Sequence, residues 1–258
     1  MDICVCVKRV PMVGGMIKVT PDGQDVDTAM SGFTVSPHEE CAVEEAVQIT
    51  ERLGGTATVL TVGPPQAADQ LRDMLALGAG RAILLQTDGA EWGPVATAAA
   101  IAAAVAGGGY DLLLFGNESA DTGGYQVPVR VAHALGLPCV TGIKKLQVGT
   151  RQVGTGQPDR IVASREYRGV MESFDVPLPA VVSVKEGINL PRYPSLPGRL
   201  RAKRAVIEQA EPQGGTDWLR KLRLEVPRSA AKQARILGTG ADAVPALVEV
   251  LDSLGVLP

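Results

Sequence analysis

The sequence predicts an α/β fold in which a doubly wound, mostly parallel sheet is followed by an extended C-terminal arm. Three observations carry this. Strand-like apolar runs alternate with helix-like segments through the first half of the 258 residues. Hydrophobic residues make up 45% of the chain but aromatics only 3%, so the core is built from Ala, Val and Leu, whose flat aliphatic surfaces suit helices packed on a parallel sheet. From residue 186 the chain turns rich in Pro and basic side chains, a texture that opposes regular structure.

Residues 3–10 are apolar on both faces, as a central parallel strand requires, and Cys4 and Cys6 within it point the same way. A hairpin-like insertion follows, with Ile17-Lys18-Val19 and the turn Pro21-Asp22-Gly23. Ser36 then caps a helix that has Pro37 at its first position and acidic Glu39 and Glu40 near its positive end. Its apolar stripe is Cys41, Ala42, Ala46, Val47 and Ile49, and Gly54-Gly55 stop it. Residues 56–62 are the next strand, ended by Gly63-Pro64-Pro65, and the helix after it carries Leu71, Met74, Leu75 and Leu77 before Gly78. A strand at 82–85, a helix at 93–106, a strand at 110–115, a loop at 116–124 and a helix to about Leu135 complete four strand–helix units. Right-handed crossovers wind such units into a doubly wound sheet.

Beyond Val140 the chain reads as short β segments at 143–148, 160–165 and 180–184. Pro191, Pro194 and Pro197, then Arg199, Arg201, Lys203 and Arg204, make 186–212 an extended arm. Gly214-Gly215 marks a flexible joint, and 243–254 a last amphipathic helix. The division is therefore 1–185 for the sheet domain and 186–258 for an arm and tail that lack a core and await another chain.

Composition excludes several chemistries. A net charge of −3 offers no basic field for nucleic acid. The four cysteines form no CxxC pair and no zinc spacing, and read as small buried hydrophobes in a reducing compartment. The Ala-rich run at 96–106 is too short to span a bilayer, and no basic, apolar leader precedes the first strand. The expectation is a cytoplasmic protein without direct membrane insertion. No GxxxxGK[ST] loop, no GxGxxG after the first strand and no GxSxG elbow occurs. Of the two histidines, His133 lies within a helix among Val131, Ala132 and Leu135 and reads as packing or snorkelling, whereas His38, just after the cap proline, is the one that could face a ligand. So few groups for acid–base or nucleophilic work describe a holder of something that does the chemistry itself.

In an open α/β sheet, ligands bind beyond the C-terminal strand ends beside helix N-termini. Segments 6–10, 62–66 and 116–128 meet that description. The third is richest: Asn117, Glu118, Ser119, Ala120, Asp121, Thr122, Gly123, Gly124, Tyr125 and Gln126 lead into Val127-Pro128. Small residues let the backbone approach a phosphate, while free N–H groups and the helix dipole favour its charge. On these residues alone a glycine-rich cap without a ligand stays open.

Several blocks in order resemble the electron-transfer flavoprotein β subunit. Val5-Cys6-Val7-Lys8-Arg9-Val10 resembles that family's "AVKRV" strand, and Ser36-Pro37 through Ala42-Val43-Glu44-Glu45-Ala46 its "NPxxxxAVEEA". Val62-Gly63-Pro64-Pro65-Gln66, Leu178-Pro179-Ala180-Val181-Val182-Ser183 and Asn189-Leu190-Pro191-Arg192-Tyr193-Pro194-Ser195-Leu196-Pro197 match further blocks. The resemblance implies a Rossmann-like, adenine-nucleotide-binding sheet in a heterodimer, with FAD in the α subunit and AMP, or a second FAD, in this one. It places nucleotide contacts on Cys6, Ser36, Pro37, His38, Glu39, Val62 and 117–128. It makes Tyr193, Leu196 and Pro197 the docking point for flavin dehydrogenases, and has the tail pack on the α subunit.

The chain departs from the ordinary pattern where Asn117-Glu118 replace Lys-Gln, where only Asp121 of an acidic triplet remains, and where Val127 replaces Thr. Gln126-Val127, Gly63-Pro64-Pro65-Gln66 and Trp92 resemble the electron-bifurcating members, which oxidise NADH through a flavin in this subunit. AMP is the favoured reading, the bifurcating subunit the alternative, and a stand-alone adenine-nucleotide sensor a third. No SGGxDS loop supports a nucleotide-cleaving ligase.

Overall fold

A computed structural model describes residues 1–258 apart from 13, 15–16, 150–159, 216, 218, 220, 228–233 and 257–258. Strand β1 (Ile3–Cys6) is buried along its whole length. It is shorter than the apolar run at 3–10, because the Lys8 N–H leaves the ladder to bond the Glu39 carboxylate at 3.1 Å. β2 (Val10–Pro11) turns away instead and pairs antiparallel with β3 (Phe33–Thr34), closing off the hairpin insertion in which Val19 bridges Val26.

Helix α1 (Pro37–Leu53) starts on Ser36, whose N–H bonds the Glu39 carboxylate at 3.1 Å, and stops at Gly54, whose positive φ of 76° favours glycine. β4 (Ala57–Gly63), α2 (Ala68–Leu77), β5 (Arg81–Gln86), α3 (Pro94–Val105), β6 (Leu112–Gly116) and α4 (Val127–Leu135) follow in the predicted order. The β-rich stretch then resolves into β7 (Cys139–Ile143), β8 (Lys145–Val148), β9 (Arg160–Tyr167), β10 (Val170–Pro177) and β11 (Ala180–Val184). Part of the expectation for that stretch, residues 150–159, lies outside the described residues.

The main sheet has the order β12-β5-β4-β1-β6-β11-β7, with β12 (Glu208–Ala210) on one edge, and every pairing in it is parallel. β8, β9 and β10 form a separate antiparallel sheet. Alternation along β1 and β6 sends Ile3, Val5, Leu112 and Leu114 to a core shared with α1 and α2. Cys4, Cys6, Leu113 and Phe115 face α3 and α4 on the other side. The two cysteines do share a face.

The arm departs from an extended course at one place. Leu196–Arg204 is a helix, α5, packed on α2 through buried Gly198 and Ala202. Pro197 does not prevent it, because it stands in the first turn, where no intrahelical N–H is needed, and the Ser195 hydroxyl caps Gly198 N–H at 3.1 Å. The amphipathic helix near the C-terminus is α6 (Val244–Ser253), none of whose residues is buried. Among the described residues, no helix is long and apolar enough to cross a membrane.

Candidate functional site

Strand order reverses between β1 and β6: the chain steps from β1 outward through β4 and β5, then returns to β1's other side. A crevice opens at such a point, beyond the C-terminal strand ends. Here it is a cavity of about 500 Å³. Cys6, Val62 and Phe115 supply strand-end walls, Glu39 comes from α1, and Gly93, Pro94 and Thr97 come from the start of α3.

The loop between β6 and α4 is the cavity's inner rim. Asn117, Gly124, Tyr125, Gln126, Val127 and Pro128 line it, and Glu118, Ser119, Asp121 and Thr122 are shared with a second concavity of about 440 Å³ behind the loop. Ser36, Pro37, His38, Ala120 and Gly123 line only this second space, with Glu186. The predicted contacts therefore divide between two faces of one loop. His38 looks away from the larger cavity: its Nδ1 accepts the Glu186 N–H at 3.2 Å, and its Nε2 lies 3.4 Å from a Glu118 oxygen.

The loop is fixed at its root. Asn117 N–H bonds the Val184 carbonyl at 2.8 Å, and the Ser183 hydroxyl donates to Asn117 Oδ1 at 3.2 Å. Gly116 is needed because a Cβ there would sit 2.7 Å from Glu39 Cγ and 3.0 Å from its backbone nitrogen. At the loop's tip the Lys8 ammonium meets Asp121 at 2.6 Å and the Thr122 hydroxyl at 3.4 Å. Burial alone would raise the Asp121 carboxyl, but Lys8 and the hydrogen bonds of Ser119 and Thr122 outweigh it and hold it low. Tyr125 adopts φ 56° and directs its hydroxyl to the Glu118 carboxylate.

Charge around the cavity is mixed. Burial pushes the Glu39 carboxyl up to about 8, against the pull of the Ser36 and Lys8 amides. The Arg9 guanidinium stacks on Phe33 at 3.2 Å and is lowered by burial. Among the described residues its Nε has no hydrogen-bond partner. No group of three or more His, Cys, Asp or Glu among the described residues is placed to hold a metal.

Trp92, Thr87, Glu91, Asp25 and Leu219 also line the larger cavity, and site reasoning from sequence missed them. Trp92 carried a faint signal, one bulky aromatic just before a helix start. Leu219 carried none, since nothing local connects it to a strand end.

The docking residues stand elsewhere. Tyr193 is 95% exposed and Leu196 72%, with Pro197 and Leu190 also exposed. Their backbone is clamped to α1. Arg192 bonds buried Glu44 through both backbone N–H and guanidinium, at 3.0–3.2 Å, and reaches Glu51 at 2.7 Å. Asn189 donates to the Cys41 carbonyl at 3.0 Å and to Glu45 at 2.9 Å. The paired acids of the Ala42-Val43-Glu44-Glu45 block thus hold the arm.

Comparison with known proteins gives a consistent result. The family model described as "Electron transfer flavoprotein domain" matches residues 26–213. The chain is 35% identical to the electron transfer flavoprotein subunit beta of Bacillus subtilis (strain 168) over 196 residues, which is 75% of this chain and 70% of that one. It is 33% identical to the subunit beta of Syntrophomonas wolfei over 238 residues, 92% and 90% of the two chains. With that of Mycobacterium leprae it shares 36% over 213 residues, 80% and 77%.

Proposed function

Because the chain belongs to the electron transfer flavoprotein family, as one of its β subunits, we propose that it works in a heterodimer, holding an adenine nucleotide in the larger cavity while the arm docks dehydrogenases. What supports the site is the meeting of a topological switch point, a helix N-terminus and a close-approach loop in one cavity of about 500 Å³. The residues present fit such a ligand. Val62, Phe115 and Ile101 give apolar surface for a base, and the first turn of α4 gives a positive dipole end for a phosphate. Lys8 brings a mobile cation, 44% exposed at its side chain, that can exchange Asp121 for a phosphate oxygen.

AMP is the ligand we favour. Pro64, Trp92 and Val127, which resemble the bifurcating branch, do line the cavity, and this keeps a second FAD as the alternative. An FAD in the partner subunit would supply the electron-carrying chemistry. This chain supplies geometry: a fixed nucleotide that buttresses the loop, and an exposed leucine on a clamped arm, whose docking orders little new backbone.

The placement is tested by titrating AMP into the nucleotide-stripped heterodimer. Lys8→Ala is expected to weaken binding by about tenfold, the loss of one charge-assisted bond. Unchanged affinity would move the phosphate away from Lys8.

A further inference from the structure

Resting on the nucleotide reading of the larger cavity, we propose that Asp217, Leu219 and residues 221–224 form its closing wall. Leu219 touches the bound nucleotide, and Asp217 and Lys221 position the wall and set how fast nucleotide leaves.

Leu219 lines the cavity although every other lining residue lies at Pro128 or earlier. Two pegs hold it there. Asp217 accepts hydrogen bonds from the N–H groups of Gly93 at 2.6 Å, Val95 at 3.1 Å and Ala96 at 3.1 Å. Pro94 between them has no N–H, so this carboxylate takes up the donors of the first turn of α3. The fit is close: a Cβ on Gly93 would stand 2.7 Å from the Asp217 carboxylate. On the other side, Lys221 reaches Glu91 at 2.5 Å and Asp25 at 3.5 Å, two further cavity residues from separate parts of the chain. Gln24 Nε2 bonds the Leu222 carbonyl at 2.9 Å, and Leu224 N–H the Gly23 carbonyl at 2.7 Å. The described residues therefore touch both the start of α3, through Asp217, and the hairpin insertion, through Lys221, Leu222 and Leu224.

Its attachments are of a kind that opens. They are capping bonds, a partly exposed ion pair and two loop hydrogen bonds, with no buried apolar side chain among the described residues of the segment. The sheet behind the cavity is a continuous core. Opening at the segment is thus far easier than opening at the strands.

The test uses the full chain with its α subunit and AMP carrying a fluorescent label on the ribose, chased with unlabelled AMP. Asp217→Ala is expected to speed release by roughly tenfold, the scale of a lost cap. Lys221→Ala is expected to speed it by about two- to threefold and Lys221→Arg to restore it. Association should quicken too in Asp217→Ala, so that the release rate changes more than the dissociation constant, as for a gate and not for a damaged pocket. Lys221→Ala changes only a surface ion pair and tests the wall even where Asp217→Ala fails to fold. Labelled AMP that binds but leaves both variants at the wild-type rate overturns the wall alone. Failure of labelled AMP to bind the wild-type complex overturns both the wall and the nucleotide reading.

Discussion

At the scale of single residues, the site rests on a buried acid and a missing side chain. Glu39 has a folded value of about 8 against an ordinary 4.5, so the native chain keeps a proton that the unfolded chain releases. Its contribution to stability is greatest below pH 4.5 and declines as the pH rises toward 8. Glu39→Gln should flatten that decline, which for a shift of this size is on the order of 3 kcal/mol between pH 5 and 8. Denaturant midpoints at the two pH values measure it, and an unchanged slope would mean that Glu39 is ionised. At Gly116 the expected effect is steric. Gly116→Ala drives a methyl into Glu39 and should cost about 2 kcal/mol. Gly124→Ala, with nothing within 4 Å of its Cβ, should melt like the parent.

At the scale of elements, the arm divides stability from recognition. Arg192→Ala leaves Glu44 buried without its partner and should lower stability by about 2–3 kcal/mol, after allowance for an arginine side chain that is 35% exposed. Leu196→Ala should leave the melting temperature in place and weaken dehydrogenase docking by about tenfold. Parallel thermal melts and partner titrations separate the two roles, and a Leu196→Ala variant that docks normally would remove the arm from recognition. Elements with local signals were legible in the sequence. Ser36-Pro37 and Gly54 bracket α1, Gly136 ends α4 at φ 65°, and two-faced apolar runs mark β1, β4 and β6. What was illegible depended on distant partners. The run at 3–10 stops early because Glu39, from another element, takes an amide out of the ladder. The proline-rich stretch turns helical at Leu196 because a serine cap and the surface of α2 outweigh composition. Glu118, Ser119, Asp121 and Thr122 line both concavities while Ala120 and Gly123 line only the second, a division that no spacing rule encodes.

At the scale of the whole molecule, α6 and the arm leave apolar surface uncovered. α6 leaves Val244, Leu247 and Val248 about half exposed, and the arm leaves Leu190 and Tyr193 almost fully so. A lone chain should therefore self-associate or bind the α subunit, and sedimentation of the chain alone and with that subunit checks this; a monodisperse monomer indifferent to the α subunit would favour the stand-alone sensor. The proposed function requires that the crevice between β1 and β6 hold an adenylate in a working heterodimer. Mass spectrometry of the small molecules released by denaturing the native complex tests it most directly. One AMP and one FAD per heterodimer are expected. Two flavins without AMP would transfer the site to the bifurcating alternative, and no adenine nucleotide beyond a single FAD would contradict the claim.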